Sequence, residues 1–161
     1  MIAGHARLSD TLIARYARFP DRKPAAPDDC RNRLLNCVEI TRPLPSPNPV
    51  EQTDAALLQT AEEVSDAVFR SVPVPPLMRE HFWVQSSVFA GCIFPAPVLQ
   101  VSHFTDVTFR NCDLSNADLS GCSFQRVEFV ECKLVGANLS EGTWRHVVFE
   151  RCKMEFANFT L

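Results

Sequence analysis

The sequence predicts a mainly β fold. The expected architecture is a right-handed, four-sided β-helix over residues 84–161, preceded by a small α-helical N-terminal region over residues 1–80 that caps it. Three observations carry this: a large apolar residue at every fifth position, a small or β-branched residue two positions before each, and a second period of 20 residues. Proline divides the chain in the same way. Eleven of the 12 prolines precede residue 96, the twelfth is Pro97, and none follows it.

In the N-terminal region, Ser9 is placed to N-cap a helix through Tyr16, with Leu12 and Ile13 facing inward. Asp28 or Asp29 starts a second short helix around Leu34 and Leu35. The stretch Thr41 to Pro49 reads as a loop, because its prolines remove donors and fix extended backbone. Reading it as an SH3-type ligand is weaker than reading it as a linker. The best helix is expected next. Asn48 serves as N-cap, Pro49 as first helical residue and Glu51 as N3, with Leu57, Leu58, Ala61, Val64 and Val68 at helical spacing and a stop before Val72-Pro73. This helix is expected to cover the first coil of the β-helix, whose open end would expose unpaired backbone.

In the C-terminal half, the five-residue series runs through Phe109, Leu114, Leu119, Phe124, Phe129, Leu134, Leu139, Trp144, Phe149, Met154 and Phe159. Two residues before its members stand Cys112, Ala117, Cys122, Val127, Cys132, Ala137, Val147, Cys152 and Ala157. A period of five fits neither an α-helix nor a long strand. Residues two apart share a face in a strand, so each unit is a very short strand followed by a corner. At a 20-residue step Val107, Val127 and Val147 coincide, as do Cys92, Cys112, Cys132 and Cys152. Four units therefore make one coil. Residues 87–161 give nearly four coils, a column about 19 Å tall at the usual inter-strand spacing. Pro95 and Pro97 break the pattern and mark an irregular start.

These units resemble the pentapeptide-repeat family, whose motif is A(D/N)LXX. The motif is carried by Ala117-Asp118-Leu119-Ser120-Gly121, Ala137-Asn138-Leu139-Ser140-Glu141 and Ala157-Asn158-Phe159. The resemblance implies a right-handed, four-sided β-helix. It also implies two known uses of such columns: DNA mimicry that binds DNA gyrase or topoisomerase IV, and roles as bacterial secreted effectors.

The composition narrows function. A net charge of −3 is unlike that of a basic nucleic-acid binder, so direct nucleic-acid binding is not expected. The longest apolar run is too short to span a bilayer. The N-terminus lacks the apolar core and cleavage site of a secretory signal; an organelle presequence is the alternative to an ordinary surface helix there. The seven cysteines, an odd number, point to free thiols in a reducing compartment, the cytoplasm, with delivery into a host cell if the chain is an effector. Stacked inward cysteines point in parallel and do not converge on a metal, so no metal or cofactor is expected; Cys30 and Cys37 lie outside the repeat. No phosphate loop, HExxH or GxSxG motif appears, and His146 continues a surface ladder above Arg126 and Asp106.

Between residues 87 and 161, eight acidic residues face six basic ones, and the columns alternate in sign: Asp106 with Arg126, Asp113 with Lys133, Glu131 with Arg151. A DNA mimic needs a continuous acidic face, so the leading expectation is a non-enzymatic adaptor or scaffold for a protein partner. The gyrase- or topoisomerase-binding mimic is the alternative. Met154, Phe156, Phe159 and Leu161 form an apolar end that is expected to pair two copies into a homodimer; a longer natural protein that covers this end is the competing explanation.

Overall fold

A computed structural model describes residues 41–160. Leu161, Cys30, Cys37 and the two helices expected before residue 41 lie outside the described residues.

The described chain is a β-solenoid of about five turns with almost no helix. It opens with β1 (Val50–Gln52), a four-residue helix α1 (Leu57–Thr60), β2 (Glu63–Ser65) and β3 (Ala67–Arg70). Next come β4 (Met78–Glu80), β5 (Trp83–Gln85), β6 (Val88–Ala90) and β7 (Val98–Gln100). Three longer strands complete it: β8 (His103–Arg110), β9 (Ser123–Val130) and β10 (Thr143–Glu150). All pairs are parallel, and each links residues one coil apart, as in Phe69↔Phe89, Phe89↔Phe109, Phe109↔Phe129 and Phe129↔Phe149. The 20-residue step read from the sequence is therefore the hydrogen-bonded register.

The helix expected from Pro49 to Ser71 is corrected by this arrangement. Only Leu57–Thr60 is helical, and β1, β2 and β3 lie where the rest was expected. β2 and β3 join the same sheet as the strands beyond residue 84. The physical reason is that Val64, Phe69 and Val74 already continue the inward five-residue series, preceded at two residues by Ala67 and Val72. Burying these on two sides of a sheet column outweighs the weak helix propensity of so β-branched a segment. The start at Pro95 and Pro97 is likewise not irregular, because β7 pairs with β4 one coil earlier. Pro97 lacks only an N–H, and its carbonyl still accepts the Asp118 N–H at 2.8 Å.

α1 nevertheless covers the first coil. Leu58 is buried against the end of the core, as is Ala55. Arg79 stands at an inward position where the repeat would place an apolar side chain. Its guanidinium lies 4.5 Å over the Phe82 ring and donates to the carbonyls of Leu58 (2.9 Å) and Ala61. A cation here satisfies carbonyls left free at the helix end, which an apolar residue could not do.

The core is a set of stacked columns. Phe69, Phe89, Phe109, Phe129 and Phe149 stack with ring centroids 4.9–5.0 Å apart. Phe104, Phe124 and Trp144 form a second aromatic column, at 5.1 and 4.5 Å. Leu114, Leu119, Leu134 and Leu139 are buried in the remaining columns, with Cys112, Ala117, Cys122, Cys132 and Ala137 at the small inward positions. Cys152, Met154, Ala157 and Phe159 are only partly buried in the last coil.

Corners recur with the same period. From Asp66 to Phe156 every fifth residue has a left-handed backbone, with φ between 42° and 68°, and only Pro76 breaks the series. Proline's ring fixes φ near −65° and forbids that conformation. Fifteen of these residues are not glycine, and each forgoes about 1–2 kcal/mol of local preference. Side-chain stacking must outweigh that cost at every corner.

Candidate interaction surfaces

Between the two inward residues of each unit, one side chain points outward, so every coil presents four columns. These columns and the corners beside them are the surface available for function.

The column holding Asp113 and Lys133 also holds Pro73, Ile93 and Lys153. The column through Asp118, Asn138 and Asn158 begins at Met78 and Val98. Here the repeat motif shows its physical basis. Each Asp or Asn accepts from the backbone and hydroxyl of the residue two positions on: Asp113 from Ser115, Asp118 from Ser120, Asn138 from Ser140, Asn158 from Thr160. These local bonds shape the turn into the corner. Asn138 also donates to Asp118 (3.1 Å) and Asn158 to Asn138 (3.2 Å), tying one coil to the next.

The ion pairs expected from the 20-residue step are present. Arg126 grips Asp106 through two bonds of 2.6 Å, Lys133 reaches Asp113 at 3.3 Å and Arg151 reaches Glu131 at 2.9 Å. Burial pushes the Asp106 carboxyl up, but the Arg126 guanidinium and the Leu44 N–H outweigh it and hold it below the usual carboxylate range. Asp113 is also held low, chiefly by the Ser115 hydroxyl, and so is Asp118, where the Ser120 and Gln100 side chains overcome burial.

Sequence reasoning did not find the most unusual surface feature. Residues 41–46, read as a linker, lie along the outside of the solenoid. The Thr41 N–H meets His146 Nδ1 at 3.3 Å, Arg42 pairs with Glu128 at 2.9 Å and the Leu44 N–H reaches Asp106 Oδ1 at 3.0 Å. Glu128 and Thr108, outward-pointing residues of β9 and β8, are buried. Beside the strap is a groove of about 430 Å³ lined by Pro43, Leu44, Val88, Thr108 and Arg110 among others. The sequence signal that could have revealed it is Glu128 itself, a carboxylate in a column otherwise made of Val68, Val88, Thr108 and Val148.

Apolar side chains crowd the outside of the early coils. Met78 is 82% exposed, Ile93 66% and Trp83 51%, and Trp83 stacks on His103 at 3.9 Å. At the same heights in later coils stand Asp113, Lys133, Asn138 and Thr143. Phe156, in the last coil, is 92% exposed beside Met154 and Phe159.

The inward cysteines form a ladder of donors to carbonyls of the preceding coil: Cys112 to Phe89, Cys132 to Phe109 and Cys152 to Phe129. Burial pushes the Cys122 thiol up to about 12. Among the described residues no group of His, Cys, Asp and Glu could hold a metal ion, and no helix is long and apolar enough to cross a membrane.

Residues 84–159 match the family model described as a pentapeptide repeat region. No curated protein sequence matches the chain. Among solved structures, two trypsin-treated forms of QnrB1, described as a plasmid-mediated fluoroquinolone resistance protein, resemble it at 21% and 19% identity with TM-scores of 0.45 and 0.44. They cover 62% and 67% of this chain, which spans about half of their length, 49% and 53%. The inward pattern, the coil register and the matched model agree over the same residues: from 84 to 159 this chain is a member of the pentapeptide-repeat family.

Proposed function

We propose that the protein is a non-enzymatic interaction module: a right-handed, four-sided β-helix whose outer columns bind a protein partner. One observation carries this reading. Met78, Ile93 and Trp83 lie outside a core that is complete without them. Exposed apolar side chains gathered on a rigid surface mark a site of association. The column supplies pre-organised side chains, so little ordering cost opposes binding.

The last coil supports a second contact of the same kind. Phe156, with Met154 and Phe159 behind it, favours pairing of two copies through their C-terminal coils. The test is the mass in solution. The protein is expected to sediment as a dimer, and Phe156→Asp to yield a monomer with an unchanged melting curve. A wild-type monomer, or a variant of unaltered mass, removes this interface.

The gyrase- or topoisomerase-binding reading requires an acidic strip. Supporting it would be the family membership; against it stands the alternation of Asp106 with Arg126, Asp113 with Lys133 and Glu131 with Arg151. Titrating the protein into a DNA gyrase supercoiling assay, with and without a quinolone, separates the readings. No effect beside an active control is the expected result, and inhibition or protection at about micromolar protein would replace the adaptor reading with the mimic.

A further inference from the structure

The strap is held differently from every other segment. Its contacts to the column are made to side chains, whereas the strands beneath it have their backbone groups engaged by neighbouring coils. Thr41 and Leu44 are three residues apart, and the side chains that receive their N–H groups, His146 and Asp106, are 40 residues apart, which is two coils. One turn of polyproline II is three residues and about 9.3 Å. Two coil steps are about 9.6 Å. The two repeats match, so one turn of an extended proline-rich segment places equivalent N–H groups over acceptors two coils apart. Between them Arg42 reaches sideways to Glu128. Asp106 is set as an acceptor beforehand, because Arg126 fixes both of its oxygens.

We propose that this ledge, formed by Asp106, Glu128 and His146 beside Val88 and Thr108, is a docking site for an extended proline-rich segment of a partner protein, which the chain's own residues 41–45 occupy in its absence. The segment it fits has a basic residue for Glu128, a proline next to it and an apolar residue whose N–H meets Asp106. Polyproline II suits the site because it has no internal hydrogen bonds and loses little entropy when fixed. The strap competes from within the same chain at an effective concentration of about millimolar, so an external segment binds weakly until the strap is loosened. This deepens the interaction-module reading and rests on it, while using a surface separate from Met78, Ile93 and Phe156.

The experiment uses the full chain and a fluorescent peptide of the strap sequence, residues 41–49. In the variant carrying both Pro43→Gly and Pro45→Gly, the strap loses its preformed shape while the ledge is untouched. The peptide is expected to bind this variant at least about ten-fold more tightly than wild type. Adding Asp106→Ala should abolish binding, and replacing the peptide's arginine by glutamate should weaken it about ten-fold. Arg42→Ala, a milder loosening, should raise the affinity several-fold and serves if the double-glycine chain fails to fold. A folded, loosened chain that binds no peptide overturns the proposal, as does binding that survives Asp106→Ala. Either failure leaves the self-association of the C-terminal coil to be judged by its own measurement. Binding equally strong to wild type overturns the claim that the strap occupies the ledge.

Discussion

Phe129→Ala tests the source of the fold's stability. Phe129 is fully buried, stacked on Phe109 at 5.0 Å and Phe149 at 4.9 Å, with Phe124 edge-on at 6.1 Å. Removing a buried ring of this kind costs about 3–5 kcal/mol. Stacked neighbours on both sides leave the cavity little room to collapse, which places the loss near the upper end, at about 4 kcal/mol. A chain of this size then melts about 8–16 °C lower. Phe159→Ala is the matched control. That ring is only partly buried, and its contacts to Trp144 and Phe149, both at 5.9 Å, are tilted or edge-on. Its loss should be about 1–2 kcal/mol. Chemical unfolding followed by far-ultraviolet circular dichroism gives both numbers, with tryptophan fluorescence as a second probe. Equal losses at the two positions, or less than about 1 kcal/mol at Phe129, would refute the claim that the stacked column holds the coils together.

Other predictions follow from the same geometry. Ala137→Arg puts a charge at a fully buried position without a partner and should unfold the repeat; an unchanged melting curve would refute the inward assignment. Asp106, Asp113 and Asp118 have native pKa values below their unfolded ones. Their contribution is complete above the ordinary carboxylate value, about pH 4, and is lost as pH falls through the lowered native values. The melting temperature should therefore hold from neutral pH to about pH 5 and drop below about pH 4, and Asp106→Asn should be less stable at neutral pH with a shallower acid limb. A variant with the wild-type acid limb would show that Asp106 contributes nothing. Alkylation of the native protein should modify Cys152 well before Cys122, whose thiol is buried and held neutral; equal rates by peptide mass mapping would overturn the ladder's inward placement.

Much of the fold was legible because the repeat writes it twice, once every five residues and again every 20. The misreading upstream has a definite cause. β1 pairs Val50 with Ala67, a step of 17 residues, and α1 occupies the shortened coil, so the longer period is lost there. Arg79 interrupts the shorter period at an inward position. With both signals broken, Leu57, Leu58, Ala61, Val64 and Val68 present a helical spacing of equal strength. The alternating ion pairs were legible, since register alone brings Asp106 to Arg126 and Asp113 to Lys133. The strap was not. Prolines declare an extended backbone, but the side chains that receive it lie 62 to 105 residues away, and no local pattern encodes that meeting.

A solenoid whose coils touch only their neighbours behaves under load like a spring, yielding one interface at a time. The strap changes that mechanics. It is a stiff rod fastened at His146, Glu128 and Asp106, and it continues into β1 of the first coil. It therefore runs as a tie along the column, parallel to the axis along which the coils would separate. Stretching or bending that opens the coils between Asp106 and His146 must first detach the tie, so these coils resist as one body while it is seated. A partner that lifts the strap would soften the column as it binds.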